Sequence, residues 1–126
     1  ELNPQGFLGE TNGERLISNM SPLIIKTTDG INTIGSPGAD RISSSLALVI
    51  NNFTQNKDWK ESINKPRYHV NMDGSIRAEP GVKNISNNLT VTEPNDMYFG
   101  GVCVTGIDSE LFTYGDKRRG DATWKN

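Results

Sequence analysis

The turn Gly35-Ser36-Pro37-Gly38-Ala39-Asp40 is the part of this sequence best suited to chemistry. Its small residues let a ligand approach the main chain. The amides at the start of a following helix form an electropositive pocket for an anion or a developing oxyanion. The phosphate-binding spacing Gly-x-x-x-x-Gly-Lys-Ser/Thr is absent, so this is not a Walker loop. The same composition suits a plain tight connection, and pattern alone leaves both readings open. A second polar cluster, Ser18-Asn19-Met20-Ser21-Pro22, offers hydroxyls and an amide that could grip a carboxylate by hydrogen bonds. It reads equally as a polar loop leading into a strand.

Other candidates carry less. His69 has no second His and no Cys nearby, which leaves a metal site or a Ser-His-Asp arrangement unsupported and a structural or surface role in its place. Cys103, between Val102 and Val104, reads as a small buried hydrophobe. Lys117-Arg118-Arg119 reads as a solvated loop. Asn19, Asn52, Asn84 and Asn88 each begin Asn-x-Ser/Thr, a pattern too common in Asn- and Ser-rich chains to establish secretion.

The elements that must position these groups follow from the hydrophobic pattern. Residues 1–20 are punctuated by Gly, Pro and Asn-Gly and read as irregular. Residues 23–28 and 31–35 are β-rich runs separated by Asp29-Gly30, which predicts a hairpin. Consecutive apolar residues in its first run predict a strand buried on both faces, as in a layered α/β protein. Ile42, Leu46, Val49, Ile50 and Phe53 fall at helical spacing, with Asp40 placed to cap. Strand, Gly-rich turn and helix thus form one unit. A short helix is predicted over 57–63, ended before Pro66, then a second hairpin of 68–71 and 75–78 around Asp73-Gly74. A short helix over 82–89, a short strand over 90–92, and closing strands at 101–105 and 111–114 complete the reading.

The chain has 126 residues, the size of one domain, with a net charge of −2 that gives no drive toward nucleic acid or anionic membrane. A hydrophobic fraction of 33% with Gly at 13 and Pro at 6 describes a turn-rich fold. No run approaches the roughly 18 apolar residues of a membrane helix, and a single cysteine makes no intramolecular disulfide. The opening Glu1-Leu2-Asn3-Pro4 carries no methionine and no leader, and reads as the start of a piece of something longer.

Taken in order, five short motifs resemble the C-terminal portion of the small subunit of the gamma-glutamyltranspeptidase family. They are Glu1-Leu2-Asn3-Pro4-Gln5-Gly6-Phe7, Ser18-Asn19-Met20-Ser21-Pro22, Gly35-Ser36-Pro37-Gly38-Ala39-Asp40-Arg41-Ile42, Pro66-Arg67-Tyr68-His69, and Gly115-Asp116-Lys117-Arg118-Arg119-Gly120-Asp121-Ala122. The resemblance covers nearly the whole chain. It implies an α/β (α+β) fold, part of a four-layer αββα sandwich of the N-terminal-nucleophile hydrolase type, built jointly by two subunits cut from one precursor.

It further implies transfer or hydrolysis of gamma-glutamyl groups through an acyl-enzyme on an N-terminal threonine, with no metal or organic cofactor. Ser18 and Asn19 match the Ser-Ser pair whose side chains hold the donor's α-carboxylate, Asn19 standing where the family has its second Ser. Gly38 and Ala39 match the Gly-Gly pair whose backbone N–H groups form the oxyanion hole. Arg41 and Arg118 match positions that read as structural ion-pair formers. The nucleophilic threonine has no counterpart here, because Thr11, Thr27 and Thr28 are internal and in the wrong context. The expectation is therefore one domain over 1–126, with the nucleophile on another segment and a large subunit, or an oligomer, as tight partner. Family members sit in the periplasm or outside the cell; the sequence leaves the compartment, cytoplasm included, open. Two other readings stand beside this one: a related acylase acting on a different amide, and a degenerate module that binds an amino acid without turnover.

Overall fold

A computed structural model describes residues 18–85 and 88–125. The motif at residues 1–7, and most of the irregular segment read over 1–20, lie outside the described residues. Strands β1 (Leu23–Lys26), β2 (Ile31–Gly35), β6 (Cys103–Ile107), β7 (Leu111–Tyr114) and β8 (Thr123–Lys125) form a five-stranded sheet in the order β1-β2-β6-β7-β8. Every pairing in it is antiparallel, so the α+β form of the expected fold is the one adopted. Strands β3 (Tyr68–Val70), β4 (Ile76–Ala78) and β5 (Leu89–Val91) form a smaller sheet.

Helix α1 (Arg41–Asn56) lays a stripe of Ile42, Leu46, Val49 and Phe53 on the inner face of the large sheet. There it meets Ile34, Val104 and Phe112. Each of these side chains contributes about 1.5–3 kcal/mol by leaving water, as an upper bound. The helix ends at Lys57, which turns left-handed and donates its N–H to the Phe53 carbonyl at 2.9 Å. Helix α2 (Trp59–Asn64) starts at once because the Asp58 side chain accepts from the Glu61 N–H at 2.8 Å. Trp59 then stacks on Phe53 with ring centroids 3.6 Å apart, and its indole N–H donates to the Asn32 side chain at 3.2 Å.

Four expectations are overturned. β1 is not buried on both faces: it is an edge strand, and Ile24 is 77% exposed. Cys103 faces out because the pleat turns Val104 into the core and its neighbours away. Residues 82–85 are not helical; Asn84 and Asn88 take positive φ, and the Asn88 carbonyl instead accepts from the Ile76 N–H as β5 pairs parallel with β4. Arg118 is not in a solvated loop.

Arg118 belongs to a buried network of four charges. Arg67, Glu79, Asp116 and Arg118 are each at most 3% exposed. Asp116 holds Arg67 Nη2 at 2.6 Å and Arg118 Nη1 at 3.1 Å, while Glu79 takes both Nε and Nη2 of Arg118. Backbone groups satisfy most of the rest; in the network only the buried Arg67 Nε is left without a partner among the described residues. Glu79 accepts from the N–H of Arg67 and Asp96, Asp116 accepts from that of Val102, and the two guanidiniums donate to the carbonyls of Ile63, Lys65 and Phe99. Burial lowers the pKa of Arg67 despite Asp116. Burial opposes the charge on Arg118 as well, but Glu79 and Asp116 outweigh it and its pKa is raised.

Such a cluster contributes little net stability when whole and costs much when broken, because the remaining charge stays buried without its partner. Asp116→Asn is therefore expected to lower the free energy of unfolding by about 3–5 kcal/mol in urea titrations. The exposed Lys65–Glu61 pair, 3.4 Å apart, serves as the control: Glu61→Gln should cost less than about 0.5 kcal/mol. Equal effects at the two positions would contradict this account.

Candidate active site

The turn between β2 and α1 is held by its backbone. Gly38 has φ of 133° and Ala39 of 53°, so the chain crosses into the left-handed region at consecutive residues. A β-carbon at Gly38 would stand 3.2 Å from Gly100 Cα. Gly100 is itself at φ 77°, and a β-carbon there would collide with the Pro37 carbonyl and the Ser36 hydroxyl. Main chain thus packs on main chain. Ser36 Oγ closes the contact, donating to the Pro37 carbonyl at 2.8 Å and accepting from the Gly101 N–H at 3.3 Å.

Asp40 does not cap the helix as expected. Its backbone is already helical (φ −65°, ψ −17°) and its side chain makes no capping bond. The Gly38 carbonyl accepts from the Arg41 N–H and the Ala39 carbonyl from the Ile42 N–H, closing the first turn without it. The Asp40 carboxylate instead pairs with Arg41 and lies 3.8 Å from His69 Nε2. The chain thus changes hand between Ala39, at positive φ, and right-handed Asp40, where the helix begins.

The second polar cluster lies alongside this turn. Asn19 Nδ2 donates to the Ala39 carbonyl at 3.5 Å, across a separation of 20 residues. Ser18 is exposed and its hydroxyl accepts from the Met20 N–H at 3.1 Å. Between the two segments, Met20, Ser21, Pro22, Gly35, Ser36 and Pro37 line an open hollow of about 340 Å³. The structure therefore brings Asn19 to Ala39 and sets Ser18 beside them on the same loop.

Sequence reasoning passed over what braces the turn from behind. His69, 8% exposed, has Nδ1 2.9 Å from Ser44 Oγ. Tyr98 presents its ring edge to His69 and is covered by the guanidiniums of Arg41 and Arg77, each 4.7 Å from the ring centroid. Arg41 Nε also donates to the Tyr98 carbonyl at 3.2 Å. The doublet Gly100-Gly101 was the one signal that could have been read; the His69 contacts left none, because they form between distant elements. Burial lowers the pKa of His69, with Arg41 acting in the same sense and Asp40 against it. Among the described residues no three His, Cys, Asp or Glu side chains group to hold a metal ion, and no helix is long and apolar enough to cross a membrane.

Comparison with known proteins gives these observations a setting. The family model described as gamma-glutamyltranspeptidase matches residues 7–122. The glutathione hydrolase proenzyme of Bacillus subtilis is 33% identical over 110 residues, 80% of this chain and 18% of that protein. The capsule biosynthesis protein CapD proenzyme of Bacillus anthracis is 26% identical over 135 aligned residues, 97% of this chain and 25% of that protein. The chain thus spans no more than a quarter of the length of either of these curated relatives. A crystal structure of the CapD transpeptidase superposes with a TM-score of 0.74 at 26% identity, covering 94% of this chain and 77% of that one. A gamma-glutamyltranspeptidase from Pseudomonas nitroreducens complexed with L-DON superposes at 0.67 over 90% of this chain and 67% of that one; at 21% identity it supports the fold alone.

Two outcomes test the local geometry. Ala39→Gly removes a methyl from a left-handed position and is expected to raise the free energy of unfolding by about 0.5–1 kcal/mol, whereas Ala39→Val should lower it by more. Because the folded state holds the His69 pKa below its ordinary 6.5, the folded chain favours the neutral ring. The stability His69 contributes is present above about pH 6.5 and is lost as pH falls toward the folded pKa. Thermal melts across this window should show the loss in the wild type and a smaller loss in His69→Gln.

Proposed function

The chain belongs to the gamma-glutamyltranspeptidase family, and from that membership we propose that it is the segment of such an enzyme that stabilises the oxyanion and holds the donor's carboxylate. A threonine on another segment supplies the nucleophile. Its hydroxyl attacks the gamma-glutamyl amide carbon while its own α-amino group takes the proton. Negative charge then builds on the amide oxygen, which the backbone N–H groups of Gly38 and Ala39 are proposed to receive. The tetrahedral intermediate collapses to an acyl-enzyme, the departing amine takes the proton, and water or an acceptor amine receives the glutamyl group.

The observation that carries this reading is the meeting of Asn19 with Ala39. A donor whose γ-carbonyl lies at the Gly38-Ala39 turn would extend its α-carboxylate to the neighbouring loop. There the Ser18 hydroxyl and the Asn19 amide donate hydrogen bonds to it. An amide in place of a second hydroxyl reaches further and carries two donors, so donors with a compact carboxylate end are expected to fit differently than in relatives with Ser-Ser.

The large subunit and the remaining small-subunit segment would cover the outer face of the five-stranded sheet. That face exposes Ile24, Ile31, Ile107, Leu111 and Trp124, the composition a two-sheet sandwich buries.

The test is a chimera. This chain would replace the matching segment of the Bacillus subtilis glutathione hydrolase proenzyme, and hydrolysis of gamma-glutamyl p-nitroanilide would be measured. The chimera is expected to cleave itself and turn over, while the isolated chain does not. Gly38→Ala in the chimera keeps the amide but, at φ 133°, presses a β-carbon on Gly100; the displaced turn should lower kcat, by at most the roughly 100- to 1,000-fold that loss of a donor costs, and Ser18→Ala should raise the donor KM. Robust turnover by the isolated chain, or a self-cleaved chimera that binds donor without turnover, would overturn the assignment.

A further inference from the structure

We propose that His69 is a positioning residue for the turn Gly38-Ala39-Asp40, setting through Ser44 and Asp40 where that turn stands. The proposal rests on the reading of the turn as the oxyanion-binding element.

Ser44 holds one hydroxyl proton and has two acceptors within reach: His69 Nδ1 at 2.9 Å and the Arg41 carbonyl at 3.1 Å. In a neutral ring, one tautomer carries its proton on Nε2, facing Asp40 Oδ2 at 3.8 Å, and takes the Ser44 proton at Nδ1. The other tautomer points a bare Nε2 lone pair at the carboxylate, which repels it. The first is therefore the resting state. When the ring gains a proton it lands on Nδ1, which now donates to Ser44 Oγ, and the Ser44 hydroxyl turns to the Arg41 carbonyl. The imidazolium then faces Asp40 with a full positive charge.

Asp40 has a second partner in Arg41, so the carboxylate divides between two cations. Arg41 is the fixed one. Its guanidinium lies on the Tyr98 ring and its Nε is bonded to the Tyr98 carbonyl. The charged groups facing His69 are Asp40 and Arg41 from the start of α1 and Arg77, its register partner on β4; Tyr98 presents the ring edge. None but Asp40 attracts the imidazolium as an anion. Asp40 is therefore the member that moves, and it shares a peptide unit with the Ala39 carbonyl, to which Asn19 and the Ile42 N–H also bind. A proton on His69 thus reaches the turn through one side chain and one peptide.

Backbone amide and imidazole resonances of the full, isotopically labelled chain, followed from pH 8 to 4.5, test this directly. The Ala39 and Asp40 amides are expected to shift with the same midpoint as the His69 ring, and this shift should be lost in His69→Gln. In Asp40→Asn the His69 midpoint should fall and the Ala39 shift vanish. Amides that stay flat through the His69 midpoint, or that titrate unchanged in His69→Gln, would overturn the proposal. In the chimera, His69→Gln should change the pH profile of kcat and leave the donor KM unchanged. Coupled amides in a chimera without turnover would sink the oxyanion reading and keep the positioning one; turnover with uncoupled amides would do the reverse.

Discussion

The architecture depends on one buried electrostatic constraint: two carboxylates and two guanidiniums closed on one another, with most of their remaining valences spent on the main chain. Glu79 follows β4, Asp116 follows β7, Arg67 precedes β3, and the carbonyls they engage lie at the ends of α2 and of the 3-10 turn at Met97–Phe99. Removing these charges from water is costly, and the cost is met only when every partner is present at once. The cluster therefore specifies one relative arrangement of the small sheet, α2 and the large sheet.

That arrangement is what makes the site turn possible. The Phe99 carbonyl is bound by Arg67 from below and by the Ser45 hydroxyl at 2.7 Å from α1. The next residue, Gly100, is the surface on which Gly38 rests. Ion network, 3-10 turn and the Gly38-Ala39 turn are thus consecutive links. The position of the Gly38 and Ala39 amides is decided by packing two strands away as well as by their own φ angles.

The large sheet is built with unequal faces. Its inner side carries Ile34, Val104 and Phe112 into a closed core, and its outer side leaves isoleucine, leucine and tryptophan in contact with water. A lone two-layer unit with such a face is unusual for a monomer, while one half of a sandwich requires it. The modest hydrophobic fraction of the sequence fits the same division, since among the described residues only one of the two faces is served by helices.

Local chemistry was legible in the sequence wherever the cause was local. The Asp29-Gly30 hairpin, the apolar stripe of α1, the stop before Pro66 and the small-residue turn at Gly38-Ala39 follow from torsional preference and periodicity over a few residues. The ordered set of motifs indicated the family. The sequence misled where solvent exposure decides: Ile24 and Cys103 look like core residues because a strand's period does not say which face is covered. By local pattern Arg118 looked like surface, because charge predicts exposure only until a partner such as Glu79 arrives from 39 residues away; the resemblance had marked it as an ion-pair former, which it is. The tertiary structure alone set Asn19 against Ala39, and His69 against Asp40 and Ser44. Those contacts join segments whose local preferences are independent of one another, and only the shared core and its buried charges bring them within bonding distance.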